Sequence, residues 1–172
     1  MAIDQVKDYF RSLGREQDIL EFSVSSATVE LAAQALGTEP ARIAKTLSFY
    51  DPSKDPSGEH TFGDHDLWEH AILVVTAGDQ KIDNSKFKHF FGKKAKMLAA
   101  QDVERLTGHP VGGVCPFANP PHTRVYLDIS LKRFPTVFPA AGSPSSAVQL
   151  TCEELMDYSR AVDWIDVCRQ AL

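Results

Sequence analysis

The chain has 172 residues, 43% of them hydrophobic and 24% charged, enough to bury one sizeable core. A net charge of −5 argues against a protein coated in nucleic acid, and three scattered cysteines (Cys115, Cys152, Cys168) are too few for a disulfide framework. The longest apolar run, Ala71 to Val75, is of strand length, and Met1-Ala2-Ile3-Asp4-Gln5 lacks the basic-then-apolar plan of a signal peptide, so no membrane association and a cytoplasmic location are expected.

In chain order, Ile3, Val6, Phe10 and Leu13 repeat at helical spacing and Gly14 ends the pattern, which predicts an N-terminal helix within residues 1–18. Ile19 to Ser23 reads as a short strand. Ser25 to Thr28 offer caps to a helix over Val29–Leu36, with Gly37 behind it. One helical turn after Pro40 leads into a strand from Lys45 to Tyr50. Residues 51–69 are polar and rich in Pro and Gly, and are expected to form an exposed loop. His70 to Thr76 is the clearest buried strand, and Ala77-Gly78-Asp79 turns it.

Asn84 to Phe91 reads as a helix with Phe87, Phe90 and Phe91 inward and lysines outward. Ala95 to Leu98 is a candidate strand, and Asp102 to Leu106 a helix ending at Thr107-Gly108. Further strands are expected at Arg124–Ile129, Thr136–Phe138 and Ala147–Leu150. Thr151 and Glu154 have capping-box spacing for a last helical stretch that carries Leu155, Tyr158, Trp164 and Val167. Strands and helices that do not strictly alternate predict a single α+β domain, a mixed sheet flanked by helices, over residues 1–172.

Two stretches carry the chemistry. In Arg42-Ile43-Ala44-Lys45-Thr46-Leu47, Lys45 starts a strand in apolar company, where an ammonium must find an anion or polar partner or lose its proton. In Gly108-His109-Pro110-Val111-Gly112-Gly113-Val114-Cys115-Pro116-Phe117, adjacent glycines let bare backbone approach a ligand. If lysine and loop face each other, they make a cationic, N–H-rich pocket for something small and negatively polarised. Lys81, Lys86, Lys88, Lys93, Lys94 and Lys96 stand against one acid, Asp83, and make either a basic edge for a polyanion or a solvated helix face.

The order Ser26-Ala27-Thr28, Glu30-Leu31-Ala32-Ala33, Leu36-Gly37, Arg42 to Leu47, Val74 to Asp79, Leu106-Thr107-Gly108, Gly112 to Phe117 and Ala141-Gly142 resembles the YbaK family, the domain also found as the editing insertion of bacterial prolyl-tRNA synthetases. The resemblance runs from about Ile19 to Val167. It implies a curved mixed sheet and hydrolysis of the ester that joins a wrong amino acid to the terminal adenosine of a tRNA, without a cofactor or metal. The family's lysine falls on Lys45 and its Gly-x-x-x-Pro loop on Gly112 to Pro116.

On that basis Lys45, Gly112, Gly113, Val114, Cys115 and Pro116 form the expected catalytic group. The N–H groups of Gly113, Val114 and Cys115 are candidates to receive the oxyanion, and Lys45 is either a positioned cation or a general base. Phe22, Thr28, Thr46, Gly78, His109, Gly142, Ser143 and Ser145 are the candidates for substrate contact. Lys81, Lys86, Lys88, Lys93 and Lys94 are the candidates for tRNA contact. A Cys115 nucleophile, or zinc on Cys115, His109 and His122 or on His60, His65 and His70, is the weaker alternative.

Family members that remove cysteine tend to carry a serine and an aspartate where Ala140 and Ala147 stand, which argues against cysteine as the substrate. The expected partners are the acceptor end of an aminoacylated tRNA and an assisting synthetase, with monomer and homodimer both open. The alternative reading from another class is a non-catalytic module that binds tRNA ends, a nucleotide or a synthetase.

Overall fold

The computed structural model describes residues 2–24, 28–54 and 69–169. Helix α1 (Ala2–Ser12) buries Val6 and Phe10, and β1 (Ile19–Glu21) follows. Helix α2 (Val29–Leu36) starts on Thr28, whose side chain accepts from the Leu31 N–H, and stops at Gly37, which takes the left-handed φ of 66° that a residue without a Cβ adopts freely. Strand β2 (Ile43–Tyr50) and the fully buried β3 (Ala71–Ala77) form the central antiparallel pair. Then come α3 (Asn84–Phe91), α4 (Ala100–Thr107), β4 (Arg124–Asp128), β5 (Thr136–Pro139), β6 (Ser146–Val148), β7 (Leu150–Thr151), α5 (Cys152–Tyr158) and β8 (Trp164–Ile165).

Six strands make a mixed sheet in the order β7-β5-β2-β3-β4-β8, and β1 pairs with β6 in a separate ribbon. Because β3 alternates its side chains, Leu73, Val75 and Ala77 face Val6, Phe10, Cys115, Phe117 and Leu155 on one side of the sheet. Ile72 and Val74 face Phe49, Phe87, Tyr126 and Val167 on the other. The outer edge of β2 is covered at two places. β5 pairs with Ile43 and Ala44, and the segment around Met97 bonds at its far end, where Leu98 N–H donates to the Ser48 carbonyl (3.1 Å) and Tyr50 N–H to the Lys96 carbonyl (3.0 Å). Between those two seams no described strand pairs with the edge at Lys45–Leu47.

Three expectations are corrected. Phe90 is 49% exposed, because the buried side of α3 is already filled by Phe87 against Phe49. The last helix ends at Tyr158: Arg160 takes a left-handed φ of 53°, and Trp164 and Ile165 pair in parallel with Leu127 and Asp128 as a strand. The start of the expected exposed loop is anchored, since Asp51 is buried and its carboxylate accepts from Arg124 at 2.8 and 2.9 Å. Residues 55–68, which hold the rest of that loop with His60 and His65, lie outside the described residues.

Candidate functional site

A cavity of about 370 Å³ opens at the Lys45–Leu47 edge of β2. Helix α2 forms one wall with Thr28, Val29, Ala32 and Leu36, while Met97, Leu98 and Val103 form the wall opposite. Lys45, Thr46 and Ser48 line it from β2, and Val111, Gly112 and Val114 from the glycine loop. Phe138, Ala140, Ser143, Ser146 and Ala147 close it from β5 and β6. A hollow of about 840 Å³ beside α5, around Cys152, Lys132 and Trp164, is larger but holds none of the expected residues.

Lys45 is half-buried and donates from Nζ to the Gln80 carbonyl. Burial holds its pKa below the ordinary lysine value of 10.5. The charges that face it are Glu30 on α2 and Asp79 and Lys81 on the turn after β3; Cys168 also lies nearby, its thiol pushed far up by burial and by Asp128 and so uncharged at neutral pH. Thr46, the next residue, lines the cavity with a buried hydroxyl that has no partner among the described residues. A buried unsatisfied hydroxyl costs free energy until a ligand or water bonds it.

The glycine loop is held from beneath. His109 is fully buried, and its Nε2 donates to the Phe117 carbonyl at 2.7 Å, so that nitrogen carries the proton. Asn119 Nδ2 donates to the carbonyls of Thr107 (3.0 Å) and Cys115 (3.1 Å). Gly112 turns with φ of 85°, and Gly113 presses so closely on the next loop that a Cβ there would stand 3.1 Å from Ser143 Cα and 3.3 Å from the Gly142 carbonyl oxygen. The Gly113 N–H is spent inside the loop, donating to the Pro110 carbonyl at 2.9 Å. Of the three N–H groups expected for an oxyanion, those of Val114 and Cys115 have no acceptor among the described residues, and Val114 lines the cavity.

The expected residues thus divide by place. Lys45, Gly112, Val114, Thr28, Thr46 and Ser143 meet at the cavity. His109, Cys115 and Pro116 lie under the loop, and burial pushes the Cys115 thiol up to about 12, which keeps it protonated and unsuited to nucleophilic attack at neutral pH. Gly78 lies behind α2: a Cβ there would meet the Pro40 carbonyl oxygen at 2.1 Å and Val29 Cγ1 at 2.7 Å, so glycine lets the cavity wall close on the sheet. Gly142 receives α1. Phe22 and Ser145 pair through backbone (2.8 Å) outside the cavity lining, and Ser143 Oγ donates to Ser146 Oγ (3.0 Å) in a local turn.

Of the lysines, 81, 88 and 94 are exposed, while Lys86 pairs with Asp166 at 2.9 Å. No three His, Cys, Asp or Glu side chains converge as a metal site among the described residues. Ser48, Met97, Val103 and Phe138 were missed by sequence reasoning; Ser48 shared the alternation of Thr46 and so was within reach of it.

The fold and the cavity can be set beside known proteins. Residues 24–158 match the model of the aminoacyl-tRNA editing domain, and the chain belongs to that family. It is 49% identical over 169 residues to the uncharacterised protein YwhH of Bacillus subtilis strain 168, covering 98% of both chains. It is also 26% identical over 136 residues to EbsC of Enterococcus faecalis, described as a "putative Cys-tRNA(Pro)/Cys-tRNA(Cys) deacylase", covering 78% of this chain and 74% of that one. Among solved structures, one described as "a putative trans-editing enzyme for prolyl tRNA synthetase" superposes with a TM-score of 0.80 at 25% identity, over 98% of both chains.

Proposed function

We propose that this chain is a free-standing aminoacyl-tRNA deacylase that removes a small mischarged amino acid. The observation that carries the reading is the convergence of Lys45, Thr46, Gly112 and Val114 on one cavity at the Lys45–Leu47 edge of β2. Membership of the editing-domain family and the trans-editing structural relative support it.

In this reading the ester carbonyl sits against the glycine loop and Val114 N–H takes the charge that develops on its oxygen, an interaction whose loss in such sites costs roughly a hundredfold or more. A water adds to the carbonyl carbon, the bond to the ribose oxygen breaks, the ribose hydroxyl regains a proton and the amino acid leaves as a carboxylate. Lys45 holds the phosphate or ester end, and Thr46 Oγ1 bonds a polar atom of the substrate. The amino-acid side chain meets Ala140 and Ala147, small apolar walls that suit a small side chain and themselves carry no polar group for a thiol. Basic residues of the 81–96 segment meet the acceptor stem.

The test is deacylation of tRNAs charged with alanine, serine, threonine, cysteine and proline by this protein and by Lys45→Ala. Turnover of one of them that disappears with Lys45 is expected. Binding of charged tRNA without turnover in either form would replace the deacylase with a non-catalytic tRNA-end module.

A further inference from the structure

Lys45 is held by a turn, and the turn is held in its place from another part of the chain. The turn runs from Ala77 to Gln80, closed by the Gln80 N–H on the Ala77 carbonyl (3.0 Å), and it presents the Gln80 carbonyl that receives the Lys45 ammonium. A single 3₁₀ turn, Ile129–Arg133, grips it twice. Ser130 Oγ accepts from the Ala77 N–H (3.1 Å), and the Arg133 guanidinium spans both oxygens of Asp79 at 2.6 and 3.1 Å. Asp79 Oδ1 also accepts from Gln80 Nε2 at 3.3 Å. The 3₁₀ turn is itself capped by Asp128, which accepts from the Ser130 N–H and, on its other oxygen, from the Val167 N–H, both at 2.9 Å.

An ion pair as exposed as Arg133–Asp79 contributes little to global stability. Its place explains it better: it neutralises a carboxylate whose charge acts on Lys45 and fixes the residue beside the lysine's acceptor. We infer that Arg133, acting through Asp79, is a positioning residue that keeps the Lys45 ammonium on the Gln80 carbonyl, at the cavity, and off the Asp79 carboxylate. The role in catalysis rests on the deacylase reading above; the placement of Lys45 does not.

In Arg133→Gln the Asp79 carboxylate loses its cation, keeps only the neutral Gln80 amide, and draws Lys45 to itself. The groups that face Lys45 are then Glu30 from α2, Asp79 and Lys81 from the turn, and the thiol of Cys168. Two measurements on the 172-residue protein test this. The first is titration of Lys45 by NMR of its ε-carbon, which is expected to show a pKa higher in Arg133→Gln than in the parent and restored in Asp79→Asn/Arg133→Gln, where the extra charge is gone. The second is deacylation of the substrate found above, with kcat expected to fall roughly tenfold to a hundredfold at nearly constant KM, and to recover in the double variant. Arg133→Lys, which keeps the charge without the two-pronged grip, is expected to lie between.

A folded Arg133→Gln protein with an unmoved Lys45 pKa and parental kcat overturns the inference, as does a double variant no better than the single one. Should the parent hydrolyse no charged tRNA while the Lys45 pKa still moves as expected, the positioning stands and the deacylase reading is what fails.

Discussion

Lys45 has two chemical roles open to it, and they differ in the sign of their pH dependence. Burial lowers its pKa from 10.5, so the ammonium is lost at a lower pH than in a free lysine. As a positioned cation it makes enzymatic deacylation fall as pH rises through that lowered pKa; as a general base it makes the rate rise there. We expect the fall, measured as kcat/KM after subtraction of spontaneous ester hydrolysis. The same burial bears on stability. A lysine with a depressed folded-state pKa opposes folding below that pKa, because the unfolded chain holds the proton more tightly, and the opposition lifts as pH rises through it. Lys45→Met is therefore expected to abolish turnover while leaving the denaturation midpoint at neutral pH equal to or above that of the parent.

His109 follows the same sign. Its pKa is pushed below 6.5 by burial, so its contribution to stability is intact above that pH and is lost as pH falls beneath it. The urea midpoint should drop more between pH 7.5 and pH 5.5 in the parent than in His109→Gln, since the unfolded chain takes up a proton that burial keeps off the folded ring.

At the scale of elements, the cavity depends on how helices end and where they dock. Thr28 caps α2 and lines the cavity at once, so Thr28→Ala should cost about 1 kcal/mol of stability by loss of the cap and loosen the wall that carries Val29 and Ala32. Its expected signature in deacylation is a raised KM. Gly142 joins α1 to the same site from behind. With φ of 98° and with Ile3 Cα and Val6 Cγ2 2.9 Å from where a Cβ would stand, Gly142→Ala should destabilise by about 2 kcal/mol or more, read as a lowered thermal midpoint. These elements were legible because their signals are local: Thr28 and Gly37 bracket α2, and Thr151 and Glu154 form the expected capping box. Trp164 was not legible. Nothing local to it marks the strand, which exists through backbone pairing with Leu127, far away in sequence.

For the whole molecule, an acidic chain gathers six of its 18 Lys and Arg residues between positions 81 and 96. Lys81, Lys88, Lys94 and Lys96 are exposed in one segment, and that segment continues into Met97 and Leu98 at the cavity wall. Lys88→Glu/Lys94→Glu should weaken binding of charged tRNA and flatten its salt dependence by about one unit of slope for each phosphate no longer engaged. Hydrolysis of an aminoacyl-adenosine, which lacks the stem, should be unchanged. Equal loss on both substrates would sink the docking role of the segment.

The sequence by itself determined the mixed α+β class and most element centres, and singled out Lys45 and the glycine loop without deciding that they meet, because periodicity, caps and turn residues act over a few positions. Only the tertiary structure decided what those residues touch. It turned His109 and Cys115 under the loop, spent the Gly113 N–H on Pro110, and brought Arg133 to Asp79 and the Gln80 carbonyl to Lys45. The reason is physical: a backbone carbonyl is the same in every residue, so which one meets an ammonium is set by packing of distant segments and leaves no mark on the local sequence.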